Sequence, residues 1–311
     1  MKTQPHFRHA DAKEQFITDV ISPRSLLRRR ATELRVSRAL SGAYWFRVAA
    51  YWFRLNHGYN NPLNWGSVHS ELVHLWQLRP RLAHILKDRT LVFYGVGVGD
   101  TEMVCVDAQL DVQKTCESIL IDVNKEFLCL FVKSLANRRR ELPGTNMTYL
   151  AYHGLFELME ARHLAGLESQ FKAKAFVCLG STIGNFATAD APFGIFSRLA
   201  SDGDVLVLGY QLPTHLQETY NKYSGNGLYL DLIGNFLPPH KRQQIKWRLN
   251  EEEASIEAWL RNVQVFRSKK FQSADVLRVA TSFGWKELFQ SEDVHRNVAL
   301  HAFIKSTGNT R

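Results

Sequence analysis

The stretch TLVFYGVGVGDTE, residues 90–102, runs from a short apolar segment into three glycines at alternate positions, Gly95, Gly97 and Gly99, and then into Asp100. A buried strand that leaves through glycines allows positive backbone angles and lets a ligand approach without a Cβ in the way. If the loop opens a helix, its first N–H groups face electron-rich ligand groups. Taken alone, such a loop is equally an ordinary strand-to-helix turn.

Similar apolar runs follow. SILIDV (118–123), MTYLAY (147–152), AFVCLG (175–180) and DVLVLGY (204–210) are separated mostly by helix-like segments. Strands alternating with helices predict a parallel sheet covered on both faces, with ligands at the C-terminal edge. The fold class is therefore α/β: a Rossmann-like, mostly parallel sheet, counted as seven strands. Asp122 ends the second strand, placed to accept hydrogen bonds from a ribose; the alternative is an ordinary helix cap ahead of Lys125. The loop and the acid together favour an adenosine-containing cofactor. A nicotinamide cofactor needs GxGxxG around its pyrophosphate, whereas here the spacing is GxGxG followed by an acid. Asp100 would repel pyrophosphate but tolerate an amino or sulfonium group, which favours S-adenosyl-L-methionine and a methyltransferase.

The 311 residues are 45% hydrophobic, enough for a large core. The formal net charge of +9 is concentrated early, where Arg24, Arg28, Arg29, Arg30, Arg35, Arg38, Arg47 and Arg54 are opposed only by Glu33. Such a face suits nucleic acid, anionic lipid or an acidic partner, or is a solvated helix face. Cys105, Cys116, Cys129 and Cys178 lack CxxC spacing, and no HExxH pair occurs, so buried free thiols and no metal site are expected. No apolar run is long enough for a membrane span, and no signal peptide is evident, which predicts a cytoplasmic protein.

Residues 24–56 read as helical, with YWFR twice, at 44–47 and 51–54, on one face. HGYNNPLNWG (57–66) reads as a loop and 68–86 as a helix. Alternation stops after Tyr210. Residues 211–262, with Tyr220, Tyr223 and the Pro238–Pro239 break, read as an insertion. The sheet is expected to resume with VQVFRSKKF (263–271), a helix at 273–283 and a strand at 297–306. The predicted division is a helical segment at 1–89, a cofactor domain at 90–210 and 263–311, and a substrate-domain insertion at 211–262.

The fourth strand continues as GSTIGNF, residues 180–186, with no Asn/Asp-Pro-Pro-aromatic loop of the kind usual in amino-methylating nucleic-acid enzymes. Taken with GVGVG, LIDVN (120–124), GDVLVLG and SKKF, in that dispersed order, the chain resembles the histidine-specific methyltransferase family over roughly residues 90–303. That family includes the ergothioneine-pathway histidine enzyme and, as similar members, ergot-type N-methyltransferases of tryptophan derivatives. The resemblance implies that Gly95, Gly97, Gly99, Asp122 and Gly180 bind S-adenosyl-L-methionine. It implies that Asn185 holds the amino acid head group, that Tyr220 lies near the reacting amine, and that Ser268 contacts the substrate side chain. Each also has a plain reading: Asn185 a helix cap, Tyr220 core, Ser268 a solvent-facing strand residue. Phe266 stands where the histidine enzyme has a glutamate that reads imidazole, and Leu155 where that enzyme has an adenine-reading aspartate. The expected activity is N-methylation of an amino acid or amino-acid-derived small molecule other than histidine, with Asn185 and Tyr220 as catalytic residues and Phe266 and Ser268 in the substrate site. Two alternatives stay open: a methyltransferase of RNA or protein that grips through the Arg-rich segment, and a non-catalytic cofactor-binding module. The oligomeric state is left open.

Overall fold

The computed structural model describes residues 14–17, 67–154, 159–165, 167, 169–186, 188, 190–234 and 239–306. The Arg-rich segment, the YWFR pair, the 57–66 loop, Leu155 and the Pro238 half of the proline break lie outside the described residues.

Eight strands form the main sheet. In chain order they are β1 (Glu14–Ile17), β2 (Arg89–Tyr94), β3 (Thr115–Asp122), β4 (Asn146–His153), β5 (Ala173–Cys178), β6 (Val205–Gln211), β10 (Trp285–Asp293) and β11 (Val298–Lys305). Their spatial order is β1-β4-β3-β2-β5-β6-β11-β10. All neighbours are parallel except β11, which runs antiparallel to both β6 and β10. Seven of these strands form the expected mostly parallel sheet, and β1 extends it beyond β4.

The helices between these strands cover both faces. On one face, α1 (Ser67–Leu86), α2 (Asp100–Leu110) and α3 (Lys125–Glu141) bury Leu75, Val104, Phe127 and Phe131 against Leu91, Phe93, Val177 and Val207. On the other, α5 (Asp190–Leu199) and α9 (Ser273–Ser282) bury Phe193, Phe196 and Val276 against Val92, Tyr94, Phe176 and Leu208. Successive strand residues point to opposite faces, so two apolar layers explain why β2, β5 and β6 read as continuous apolar runs. A short α4 (Ala161–Leu164) lies between β4 and β5.

After β6 come α6 (Leu216–Gly225), α7 (Gly227–Gly234) and α8 (Pro239–Arg242). They lead into a separate antiparallel sheet of β7 (Ile245–Asn250), β8 (Ser255–Leu260) and β9 (Val263–Lys269). The expectation that residues 263–271 rejoin the main sheet is corrected here. β9 closes a hairpin with β8 through Arg261 and Asn262, and Arg261 takes a left-handed φ of 56°. A two-residue turn with positive φ matches the twist of a tight hairpin and holds β9 beside β8. The main sheet resumes only at β10, an edge strand that buries Trp285 and Phe289 but is otherwise largely exposed and lacks an apolar run. Three of the four cysteines, Cys105, Cys116 and Cys178, are buried, and all four are unpaired.

Strand order reverses between β2 and β5: the chain first builds outward through β3 and β4, then returns to the other side. The crevice at the C-terminal ends of β2 and β5 is the switch point, where ligands bind in open α/β sheets.

Candidate active site

Two loops meet at that crevice. The first follows β2. Gly95, Gly97 and Gly99 all have positive φ, at 74°, 51° and 88°. The Gly95 N–H donates to the Ile121 carbonyl at 2.9 Å, which ties the loop to the end of β3. The Gly97 N–H donates to Asp122 Oδ2 at 3.2 Å, and the Asn124 N–H to Oδ1 at 2.7 Å. A carboxylate accepts about four hydrogen bonds, so Asp122, which also accepts from the Val123 N–H, keeps one acceptor position that suits a ribose hydroxyl. Asp122 is not the cap of α3. That place belongs to Asn124, whose Oδ1 accepts from the N–H groups of Glu126 and Phe127.

Burial pushes the Asp122 carboxyl up to about 7, against the pull of the N–H groups of Asn124, Gly97 and Val123. The ionised form is the better acceptor for ribose hydroxyls, so cofactor affinity is expected to weaken as pH falls below about 7. The folded value lies above the unfolded one, so Asp122's own contribution to stability has the opposite sign: it is full at low pH and lost as pH rises through 7. A calorimetric pH series with S-adenosylhomocysteine tests the first effect, and Asp122→Asn should flatten it.

Gly99 serves a different purpose from Gly95 and Gly97. Its N–H is committed to the Val96 carbonyl at 2.9 Å. A Cβ built on it would enter the Phe131 ring, with Cγ at 2.8 Å. What Gly99 supplies is a close approach of loop and core helix.

The second loop follows β5. Gly180 and Ser181 are successive left-handed residues, with φ of 66° and 58°. They reverse the chain into a 3-10 turn, Thr182–Asn185, pinned by Thr182 Oγ1 donating to the Leu179 carbonyl at 2.8 Å. The Gly180 N–H is held by Glu71 Oε2 of α1 at 2.7 Å. The two loops abut, since a Cβ on Gly95 would lie 3.2 Å from Thr182. The turn also seats on β9: a Cβ on Gly184 would lie 2.6 Å from the Lys269 carbonyl oxygen. Asn185 is half-buried, and among the described residues its side-chain amide has no hydrogen-bond partner. The next helix begins at Asp190, too far on for Asn185 to cap it.

Across from the turn, Phe266, Ser268 and Lys270 alternate along the buried face of β9 and its extension. Phe266 is only 4% exposed and packs at 5.7 Å from both Tyr223 and Trp247. Tyr223 in turn stacks on Tyr229 at 4.2 Å. Phe266 is thus part of a packed aromatic cluster. Ser268 does not face solvent; its Oγ accepts from Lys270 Nζ at 2.7 Å. Tyr220 is half-buried on α6, one turn from Tyr223, and its hydroxyl makes no hydrogen bond among the described residues.

Sequence reasoning missed Lys270. Its ammonium is buried, donates to Gln211 Oε1 and Ser268 Oγ, and lies 5.3 Å over the Tyr223 ring. No carboxylate pairs with it among the described residues, and burial lowers its proton affinity. The available signal was its two-residue step from Ser268, which puts both side chains on one strand face. Glu71 left no such signal, because it sits on α1, 109 residues before the glycine it holds.

The residues present fit S-adenosylmethionine. Asp122 has spare acceptor capacity, and the glycine loop approaches without side chains. Asp100, in the first turn of the helix that the loop opens, suits a cationic ligand and opposes pyrophosphate.

Comparison with known proteins agrees. The profile of a family described as "Histidine-specific methyltransferase, SAM-dependent" matches residues 67–227. No curated protein sequence matches the chain. Among solved structures, a magnesium protoporphyrin IX methyltransferase from Synechocystis PCC 6803 with bound SAH aligns at 12% identity, covering 87% of this chain and 100% of its own, with a TM-score of 0.53. A methyltransferase from Streptomyces caelestis aligns at 11% identity over 85% of this chain and 98% of its own, with a TM-score of 0.49. At such identities the first supports the fold alone, and the second adds no argument. The matched profile spans just over half of the chain, from α1 through the glycine loop, Asp122 and the GSTIGN turn to α6, and on that ground the protein belongs to the SAM-dependent histidine-specific methyltransferase family.

Proposed function

We propose that the protein transfers a methyl group from S-adenosylmethionine to the amine nitrogen of an amino acid or amino-acid-derived small molecule other than histidine. One observation supports this reading: the turn Thr182–Asn185 follows β5 at the switch-point crevice and is seated on β9 at Lys269, and Asn185's half-buried amide has no hydrogen-bond partner among the described residues. An amide that offers both a donor and an acceptor can meet a carboxylate and orient an amine.

When bound, the cofactor supplies an electrophilic methyl group on a sulfonium. The protein then has to hold a neutral amine in line with it, about 3 Å away, because correct placement accounts for much of the rate. Asn185 orients the head group. Tyr220, with a free hydroxyl, accepts a hydrogen bond from the amine, and water carries off the proton that an ammonium must lose first. α6 and the β7–β9 sheet exclude bulk water from that side.

Phe266 supports the exclusion of histidine. A ring packed on Tyr223 and Trp247 offers imidazole no hydrogen-bond acceptor, whereas Ser268 and Lys270 offer hydrogen-bond donors. An acceptor molecule with an apolar body and a hydrogen-bond-accepting end fits this face. Incubation with S-adenosylmethionine and a library of amino acids and amines, histidine included, read by mass shift, tests the proposal. Methylation of histidine in preference to all others would overturn it. Salt-insensitive turnover of a small amine would count against the RNA or protein alternative.

Lys270→Met separates function from stability. Met removes a buried charge that has no carboxylate partner among the described residues, and the desolvation regained offsets the loss of its hydrogen bonds to Gln211 and Ser268. The melting temperature is therefore expected to hold or rise, while KM for the amine increases about tenfold from loss of a charged hydrogen bond of about 1.5 kcal/mol. Unchanged KM would remove Lys270 from the substrate site.

A further inference from the structure

Gln211 ends β6, one strand from the switch point. Strand alternation puts its side chain on the same face as Val205 and Val207, the face that α1 covers. Its carbonyl accepts from the Phe271 N–H at 3.0 Å, and the Lys269 carbonyl lies against Gly184. Residues 269–271 therefore touch the Thr182–Asn185 turn at one end and the end of β6 at the other, with Lys270 between them.

Lys270 decides which way the Gln211 amide points. An ammonium only donates, so its partner on Gln211 is Oε1, and the amide cannot flip without losing that bond. The NH2 group must then point away from Lys270. Nε2 has no hydrogen-bond partner among the described residues and, unlike Glu71 Oε1 or Asn297 Oδ1, is not sealed off: it keeps accessible surface at the C-terminal edge of the sheet.

The charge behind this donor is uncompensated. Lys270 donates to Gln211 and Ser268 and lies over the Tyr223 ring, with no carboxylate paired to it among the described residues. A cation on the amide oxygen polarises the amide and strengthens its N–H donors, and inside the protein that polarisation is weakly screened. The edge of the sheet thus presents a fixed donor carrying positive potential, which is the complement of a carboxylate.

We propose that Gln211, locked by Lys270, is a receptor for a carboxylate of the substrate: Nε2 donates to the anion, and Lys270 supplies the counter-charge behind it. The inference rests on the amine-methyltransferase reading and narrows it to acceptors that carry an anion. Two carboxylates suit this chemistry, that of an amino acid head group and one at the far end of the molecule.

Acetate is the minimal probe and needs no choice of amine. With S-adenosylhomocysteine bound, the Gln211 side-chain N–H signals in NMR spectra should move saturably with acetate and stay still with methylammonium. Absence of a saturable shift would overturn the proposal. Gln211→Glu is the deciding variant. It is isosteric and sets a carboxylate against the buried ammonium, so the fold is retained, but an anionic oxygen replaces the donor. Acetate affinity, read on the backbone amide of Leu212, should fall about tenfold or more. Equal acetate affinity in Gln211→Glu and wild type would also overturn the proposal. Phenylalanine, phenethylamine and para-carboxy-phenethylamine then identify the source, because they differ only in where a carboxylate stands. Calorimetry on the wild type should favour one of the two acids over phenethylamine by about 10- to 100-fold, and Gln211→Glu should remove that preference. Binding of phenethylamine with no gain from either carboxylate would overturn the proposal. If acetate binds and none of these amines does, the carboxylate receptor stands and the amine reading is what fails.

Discussion

Asn185→Ala is expected to lower kcat/KM for the amine substrate by about 100- to 10,000-fold, since two hydrogen bonds to charged groups at about 1.5–3 kcal/mol each are lost together. Cofactor affinity should stay within about twofold of wild type, because a change confined to the substrate leaves the cofactor's own contacts intact. The reason is positional. Asn185 ends a turn held in place by its neighbours: Gly180 with Glu71, Thr182 with Leu179, Gly184 against Lys269. Its amide, like the Ser181 hydroxyl, is half-buried and has no hydrogen-bond partner among the described residues. Removing the amide thus leaves the fold of the turn unchanged. The decisive comparison is steady-state kinetics beside a titration with S-adenosylhomocysteine. Unchanged turnover would remove Asn185 from the substrate site, and equal losses in both measurements would mean that the turn itself had moved.

Gly99→Ala is expected to produce the largest loss of stability among the loop glycines. A methyl group there must displace the Phe131 ring, which is fully buried and packed edge-on against Phe93 at 5.6 Å. Overpacking costs about 1–3 kcal/mol, and a left-handed φ of 88° adds about 1–2 kcal/mol for a residue with a Cβ. The sum, about 2–5 kcal/mol, should lower the melting temperature by roughly 3–8 °C for a chain of this size. Gly203→Ala is the control. It has a similar φ of 83° but open space around the added methyl, so only the backbone part should appear. Scanning calorimetry of the two variants separates the contributions; equal losses would mean that Phe131 yields at no cost.

Gly99 also shows where sequence reading has to stop. From the string GVGVG, all three glycines are candidates to approach a cofactor. Their N–H partners divide them: Gly97 donates to Asp122, Gly99 to Val96 within its own turn. The position of Asp122 was legible because the apolar run ILI leads straight into it at the end of β3. The strand that carries Ser268 was legible, but the buried face it shares with Lys270 was not, because burial there depends on α6 and β7 packing over it.

The strands of the main sheet from β2 to β6 could be read directly, since each is buried on two faces and therefore apolar throughout. β10 could not, because an edge strand exposes one side and mixes its residues accordingly. β9 was recognised as a strand but assigned to the wrong sheet. A strand's composition records that it is half-buried, not which strand it pairs with. Its partner was set by Arg261 and Asn262, whose tight turn holds it against β8.

By itself, then, the sequence determined the α/β class, the position of the glycine loop and Asp122, and the turn that carries Asn185, because each is written in contiguous residues with a local conformational cause. Tertiary structure decided what those residues face. Glu71 reaches Gly180 across 109 positions and Lys270 reaches Gln211 across 59. Such contacts exist only once two distant segments have been brought into register by the packing of the sheet, and no local pattern in either segment records them.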